Sequence, residues 1–208
     1  MTAMAADPSS PLSLRERKKL KTRAAIRRAA LALVAEQPWE ATTTEQIAAA
    51  ADVSPSTVAR YFPVKEDILL SDEGDELLEA RLRARPAGED PLESLRAVVT
   101  DAVRATLAAE PEAVLLRARL MVEIPAVRAR LTETTAETAQ RLAGAIADRT
   151  GRDADDLEVR VFCAAVLGAL REATVYWAEH GRDPRDLVPL LGRAVDTLKA
   201  GPALRAHP

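Results

Sequence analysis

Residues 42–65 read Thr-Thr-Thr-Glu-Gln-Ile-Ala-Ala-Ala-Ala-Asp-Val-Ser-Pro-Ser-Thr-Val-Ala-Arg-Tyr-Phe-Pro-Val-Lys. This pattern predicts two short helices joined by a tight turn. Thr43 is the expected N-cap of the first helix, because Gln46 three residues later completes a capping box. Thr42 with Glu45 offers the same pairing one residue earlier, so the sequence leaves two registers open.

The turn and the start of the second helix are also marked in this stretch. Asp52 falls where a left-handed backbone conformation is expected, and aspartate tolerates that conformation better than most non-glycine residues. Ser54 followed by Pro55 is an N-cap followed by a first-turn proline, so the second helix begins at Pro55. Its first turn then presents the hydroxyl groups of Ser56 and Thr57 to solvent.

The rest of the chain also favours helices. Hydrophobic residues make up 48% of the 208 positions and only eight are glycine, while Ala and Leu recur at helical spacing. We therefore predict an all-α protein of about nine helices. Its expected parts are a disordered leader (1–13), a three-helix helix-turn-helix domain (14–66, motif about 43–62), a second helical domain (67–200) and a tail (201–208).

Prolines after acidic residues, and glycines after apolar stretches, mark where the other helices begin and end. These predicted helices cover residues 14–36, 65–85, 91–109, 111–122, 125–150, Asp153 or Asp155 to His180, and the stretch after Asp183-Pro184. Pro189 interrupts the last stretch, so its regular part is expected to begin only near Asp186.

The formal net charge of −3 is divided unevenly along the chain. Residues 12–65 contain ten basic and five acidic side chains, whereas the residues after 65 contain 19 basic and 26 acidic ones. The positive part suits a phosphate backbone, and the acidic remainder is repelled by one. The basic run in the first helix could be a solvated face, but its position ahead of a helix-turn-helix favours phosphate contact.

Several classes of function find no support in the sequence. The single cysteine, Cys163, excludes an intramolecular disulfide and fits a reducing cytoplasm. His180 and His207 lack spaced ligand partners, so no metal site is predicted. The acidic cluster of Asp72, Glu73, Asp75 and Glu76 matches no metal loop, so it is interpreted as a solvated face.

The sequence also argues against a membrane protein and against an enzyme. The apolar run 161–170 is shorter than the roughly 20 residues that a membrane span requires, so we expect a cytoplasmic protein. No nucleophile–base pair, phosphate loop or cofactor motif is present, so no cofactor is expected. An all-helical enzyme or a protein-interaction adaptor that uses the helix-turn-helix as scaffold stays as the alternative.

Residues 57–69, Thr-Val-Ala-Arg-Tyr-Phe-Pro-Val-Lys-Glu-Asp-Ile-Leu, together with residues 42–54, resemble the DNA-binding domain of TetR/AcrR-type transcriptional regulators. The resemblance extends over about Arg15 to Leu70, and beyond Leu70 it is one of architecture only. It implies a regulator, more often a repressor, that binds a palindromic double-stranded operator and is released by a small-molecule effector.

The resemblance also implies contacts at individual positions. Thr43 or Thr44, Tyr61 and Lys65 would hold phosphates, while Pro55, Ser56, Thr57 and Arg60 would face the major groove. Arg60 could read a guanine through its two-donor fork. Three positions depart from the family's usual pattern: Ala59 stands where an aromatic residue is common, and Asp52 and Pro38 stand where glycine is frequent.

The second domain is expected to bind the effector and to form the dimer. The run 161–170 is apolar all round, so it must be covered on every side, and the resemblance implies a homodimer through the last two long helices. Few polar groups converge among the candidate pocket residues, which favours a largely apolar effector. These candidates are Leu116, Met121, Phe162, Arg171, Glu172 and Trp177.

Overall fold

A computed structural model describes residues 14–70, 77–181 and 183–201. These residues form ten α-helices and one 3-10 turn and contain no strand, so the predicted all-α class is confirmed. The chain divides into two compact units, residues 1–75 and residues 76–208. The predicted leader, the acidic cluster of residues 72–76 and the tail beyond residue 201 lie outside the described residues.

The first unit consists of four helices and a short 3-10 turn. They are α1 (Leu14–Glu36), the 3-10 turn Trp39–Ala41, α2 (Thr44–Ala50), α3 (Pro55–Tyr61) and α4 (Asp67–Leu70). Helix α1 packs against α2 and α4, and α2 packs against α3. The core side chains of this unit are buried apolar residues: Ile26, Ala30, Trp39, Ile47, Val58, Phe62, Ile68 and Leu69.

The local signals around the turn produce the predicted conformations. Thr43 caps α2 with both bonds of the capping box, which selects this register over the pairing of Thr42 with Glu45. Ser54 caps α3 by accepting from the backbone N–H of Thr57, and Pro55 is the first helical residue. Asp52 adopts a left-handed conformation with φ of 54°.

The second unit consists of six helices. They are α5 (Leu78–Arg83), α6 (Pro91–Ala109), α7 (Pro111–Glu123), α8 (Pro125–Thr150), α9 (Leu157–Glu179) and α10 (Pro184–Ala200). The predicted proline starts of α6, α7 and α8 are confirmed. Gly151 ends α8 in a left-handed conformation with φ of 67°, as expected for a glycine after a helix.

The helix predicted over residues 65–85 differs from the structure. Lys65 belongs to a tight turn with i to i+3 hydrogen bonds, such as Ile68 N–H to the Lys65 carbonyl (3.1 Å), and α4 begins only at Asp67. Pro63, just before this turn, carries no N–H and has a fixed φ, which favours a bend here. The described residues of the predicted helix include α4 and α5, and residues 71–76 between them lie outside the described part of the chain.

Two further helix starts were wrong. Asp156, rather than Asp153 or Asp155, caps α9 by accepting from the N–H of Glu158 (3.3 Å), because Asp153 instead closes the preceding turn. Helix α10 begins at Pro184 and continues through Pro189. Pro189 lies early in the helix, so its ring removes a single backbone bond and disturbs only the turn before it.

Helix α9 lies at the centre of the second unit and packs against α7, α8 and α10. Its buried side includes Cys163, Leu170 and Trp177. Burial raises the pKa of the Cys163 thiol to about 11, which keeps the thiol protonated. By length and composition alone α9 is long and apolar enough to cross a membrane, and 39% of its most apolar window is buried within the chain.

The opposite side of α9 is open in the single chain. Leu157, Val161 and Tyr176 are 71%, 56% and 48% exposed. Between them the small residues Ala164 and Ala165 are also exposed. The apolar run predicted to need cover on every side is therefore covered by its own chain on one side only.

Candidate nucleic-acid interface

The entry into α2 presents a hydroxyl side chain on a rigid cap. Thr43 Oγ1 accepts from the N–H of Gln46 (3.2 Å), and the Thr43 N–H donates to Gln46 Oε1 (2.8 Å). Thr43 is exposed and Thr44, the first helical residue, is half-buried. The reciprocal cap holds the backbone in one conformation, so both threonines project from a fixed position.

The first turn of α3 carries a cluster of three hydroxyl groups. Ser54 Oγ lies 2.9 Å from Ser56 Oγ and 2.9 Å from Thr57 Oγ1, and it also caps the N–H of Thr57 at 3.1 Å. Pro55 and Ser56 are exposed and Thr57 is half-buried. A hydroxyl both donates and accepts, so the cluster can bond to base edges or to phosphate oxygens.

The last turn of α3 carries an arginine and a tyrosine. Arg60 is exposed, and its guanidinium lies 5.4 Å from the centre of the half-buried Tyr61 ring. Arg23 of α1 donates to the Tyr61 carbonyl oxygen at 3.0 Å, and its guanidinium lies 4.3 Å from the centre of the Phe62 ring. Arg23 therefore fixes the C-terminal end of α3, a contact that no sequence signal predicted.

Lys65 was predicted to hold a phosphate, and the structure gives its ammonium group partners within the first unit. Lys65 Nζ donates to the carbonyl oxygens of Trp39 (3.0 Å) and Thr42 (2.9 Å), and it lies 4.2 Å from the centre of the Trp39 ring. Trp39 is buried as a core residue, and its indole N–H donates to Glu66 Oε1 at 3.4 Å.

The basic run of α1 divides into two environments. Five of its side chains near the N-terminal end of the helix are exposed: Arg15, Arg17, Lys18, Lys19 and Lys21. Further along the helix Arg23 is half-buried and Arg27 is only 5% exposed. Only the exposed group can form a solvated face or contact phosphates, because the half-buried and buried arginines lie inside the unit.

The six candidate pocket residues of the second unit lie in different environments. Trp177 is buried, and its indole N–H donates to the Asp183 carbonyl (2.7 Å). Arg171 is half-buried and donates to Thr132 Oγ1 (3.1 Å), while its Nε is buried without a partner. Glu172 is exposed, and Leu116, Met121 and Phe162 are half-buried. Their role in effector binding stays a prediction.

No metal chemistry is indicated in the part of the chain that the structure describes. Within residues 14–70, 77–181 and 183–201, no three His, Cys, Asp or Glu side chains are grouped as a metal site would require.

Comparison with known families assigns both units. Residues 26–71 match the family described as bacterial regulatory proteins of the tetR family, and residues 89–203 match the MftR C-terminal domain. The chain is 36% identical over 170 residues to the HTH-type transcriptional regulator TcmR of Streptomyces glaucescens, covering 78% of this chain and 75% of that protein.

Solved structures agree with this assignment. The chain resembles FadR of Thermus thermophilus, a TetR-family transcriptional repressor solved with lauroyl-CoA, with 28% identity, a TM-score of 0.55 and coverage of 89% and 97% of the two chains. It also resembles NalD of Pseudomonas aeruginosa, the secondary repressor of the MexAB-OprM multidrug efflux pump, with 26% identity, a TM-score of 0.50 and coverage of 85% and 96%.

The capped helix pair, its hydroxyl and arginine side chains and the two family matches agree with one another. The interpretation as a regulator is confirmed, the enzyme and adaptor alternatives are not favoured, and the chain belongs to the TetR family of DNA-binding transcriptional regulators.

Proposed function

We propose that this regulator is a cytoplasmic, homodimeric repressor that binds a palindromic operator through α2 and α3 and is released by a small, largely apolar effector. The observation that carries the proposal is the rigidly capped helix pair, which presents Ser56, Thr57 and Arg60 within the stretch 12–65, where basic side chains outnumber acidic ones by ten to five. FadR and NalD, both repressors, support repression over activation.

The DNA contacts divide between the phosphate backbone and the bases. Thr43, Thr44, Tyr61 and Lys65 serve the backbone, whose contacts fix register without carrying sequence information. Pro55, Ser56, Thr57 and Arg60 face the major groove, where an arginine can bond to guanine O6 and N7 together. Because Ala59 is an exposed small residue, it cannot add the contact that an aromatic side chain would make.

The dimer is proposed to form through α9 and α10. The open side of α9 runs from Leu157 through Val161 to Tyr176. A Cβ added to Gly168, midway along it, would meet nothing within 4 Å, so the surface there is open to a second helix. Two copies packed as a four-helix bundle would cover this stripe and present two reading helices to major grooves about 34–36 Å apart.

The effector is proposed to bind among α6 to α9. Leu116, Met121 and Phe162 are half-buried apolar side chains, with Trp177 as a wall, while the buried Nε of Arg171 and the carboxylate of Glu172 could meet a polar end. The lauroyl-CoA bound to FadR supports a long apolar chain as one effector class. An effector that binds more tightly to a dimer whose two reading helices lie at another separation would shift the population of dimers away from the DNA-binding form.

The proposal is tested by operator selection with the purified full-length protein. A random duplex library is bound at ~0.15 M salt, retained duplexes are sequenced, and the resulting complex is challenged with lauroyl-CoA or free lauric acid. We expect an enriched palindrome and its release by one of these ligands. An adaptor or enzyme would retain no duplex selectively, and selective retention without release by any apolar ligand would overturn the effector class.

A further inference from the structure

We infer that Arg149 is a positioning residue for operator binding, which holds the end of α5 against α6 and α8. The inference rests on the proposed binding of a palindromic operator by a dimer. Helix α5 (Leu78–Arg83) is the first helix of the second unit that follows the first unit in the chain. The direction of α5 therefore affects how far apart the two reading helices of a dimer can lie.

The position of α5 depends on its neighbours. It has only six residues, and a helix this short is not stable by itself in water. Its N-cap residue, Leu77, makes no side-chain hydrogen bond to the helix. The helix packs against α6 and α8, with Leu82 fully buried in the core and Arg83 paired with Asp148 of α8. The contacts that hold α5 thus include two near its C-terminal end.

Arg149, in the last turn of α8, supplies most of the polar contacts at that end. Its terminal nitrogens donate to Ser94 Oγ (2.9 Å) and to the carbonyl oxygens of Leu82 (3.4 Å), Arg85 (2.9 Å), Pro86 (2.8 Å) and Glu89 (3.2 Å). The last carbonyls of a helix have no partner within the helix, and hydrogen bonds from a charged donor are roughly twice as strong as neutral ones. One guanidinium therefore joins α5, the segment after it and the first turn of α6.

Ser94 extends these contacts into a network. Its hydroxyl accepts from Arg149 and donates to Glu89 Oε2 at 2.6 Å, and the same carboxylate oxygen accepts from Arg85 Nε at 2.8 Å. Ser94 is fully buried at the start of α6. The end of α5 can move away from α6 and α8 only if these bonds break, so the network holds α5 in one direction.

A fixed direction of α5 matters for operator affinity. A palindromic operator presents its two half-sites at one separation, so only a dimer whose reading helices lie at that separation can bind both. The apparent affinity falls in proportion to the fraction of molecules in the binding-competent arrangement. Without the Arg149 bonds α5 would adopt several directions, which lowers that fraction and also lets the dimer tolerate other half-site separations.

The test compares the palindrome selected by the wild type with a duplex whose half-sites are one base pair, about 3.4 Å, further apart. Fluorescence anisotropy measures the affinity of the full-length protein for each duplex. Arg149→Lys retains the charge, but its single ammonium group cannot reach all the acceptors of the guanidinium. We expect this variant to bind the palindrome about tenfold more weakly and to discriminate less between the two duplexes.

The ratio of the two affinities separates positioning from a merely structural role. A variant that only contains less folded protein binds both duplexes more weakly by the same factor, so an unchanged ratio in Arg149→Lys would overturn the inference. Arg141→Lys on the same helix is the matched control, because Arg141 is exposed and bonds to Thr138 within α8. It should leave both affinities unchanged.

A second variant keeps the inference testable if circular dichroism shows that Arg149→Lys does not fold. Ser94→Ala removes one acceptor of Arg149 and leaves the arginine in place, so we expect a smaller change of the ratio in the same direction. An unchanged ratio in a folded Ser94→Ala protein would then contradict the inference. If the wild type selects no palindrome, the proposed function fails instead, and that result is distinct from an unchanged ratio.

Discussion

The guanidinium of Arg149 donates to Ser94 Oγ at 2.9 Å, and this bond joins the last turn of α8 to the first turn of α6. The same guanidinium donates to the carbonyl oxygens of Arg85 (2.9 Å) and Pro86 (2.8 Å), just after the end of α5. One side chain thus satisfies acceptors from two helices and the turn between them. Ser94 is fully buried, so water cannot replace the lost donor there.

We expect Arg149→Met to destabilise the second unit. Several buried or half-buried acceptors would lose their donor, at a cost of about 1–3 kcal/mol for each one left unsatisfied. The measurement is the free energy of unfolding in urea. Arg141→Met on the same helix is the control, because Arg141 is exposed and bonds to Thr138 at 3.0 Å within its own helix. Equal decreases in the free energy of unfolding of the two variants would contradict this role of Arg149.

Asp52→Gly is expected to stabilise the first unit by up to about 1 kcal/mol. Asp52 is held at φ of 54°, where glycine has no steric cost and other residues do. Asp52→Asn, which keeps a side chain that tolerates this conformation but removes the charge, controls for electrostatics. If Asn and Gly raise the thermal midpoint equally, charge rather than backbone conformation explains the gain.

Glu89 makes the stability of the second unit depend on pH in the acidic range. Hydrogen bonds from Arg85 and from Ser94 (2.6 Å) lower the pKa of its carboxyl group from 4.5 to about 2. A depressed pKa contributes stability that is fully present above pH 4.5 and is lost as the pH falls towards 2. We expect the stability difference between the wild type and Glu89→Gln to shrink over this window.

The measurement is urea unfolding at several pH values between 2 and 7. Glu133→Gln provides the comparison, because Glu133 is exposed and pairs with Arg130 across a single turn of α8. A difference for Glu89→Gln that stays constant down to pH 2 would show that this carboxylate has no special stabilisation.

Arg60→Ala should weaken operator binding by about 1–3 kcal/mol and relax specificity at one base pair. Its guanidinium is exposed at the end of α3, and the proposed role is a two-donor bond to guanine. Binding to operators substituted at each position is the measurement. Arg60→Lys retains the charge without the fork, so it should also lose the specificity. An equal loss on every sequence would refute base reading by Arg60.

Val161→Arg should convert the proposed dimer to monomer. Val161 is 56% exposed on the open side of α9, and an arginine there would place two like charges near each other across a two-fold axis. Analytical ultracentrifugation measures the result. Ala154→Arg, in the exposed turn before α9, adds the same charge outside the helix and should leave the dimer intact. An unchanged mass in Val161→Arg would exclude this side of α9 from the interface.

Local signals explain most of what the sequence could predict. The bounds of α1, the cap at Thr43 and the start of α3 at Pro55 depend on residues no more than a few positions apart. The family resemblance then supplied the reading residues. The resemblance could not show which long cationic side chains are hydrogen-bonded within the protein, because Lys65 reaches Trp39 across 26 positions and Arg23 reaches Tyr61 across 38.

The wrong predictions of helix starts concern positions where two local sequence rules compete. A proline normally ends a helix, but Pro189 is tolerated because little of α10 lies before it. Three aspartates precede α9, and the sequence could not show that Asp153 closes a turn while Asp156 caps the helix. Both outcomes depend on the path of the backbone, which is set by packing of the helices.

The open side of α9 also has a consequence for newly made chains. A chain that has folded alone leaves Leu157 and Val161 in water, and a partner that binds only the folded form stabilises it by mass action. Under the proposed dimerisation, each tenfold increase in protein concentration stabilises the folded dimer by about 1.4 kcal/mol, so the midpoint of heat unfolding should rise with concentration. At low concentration the repressor would be less stable and therefore shorter-lived, so the amount of repressor per cell would influence its own turnover.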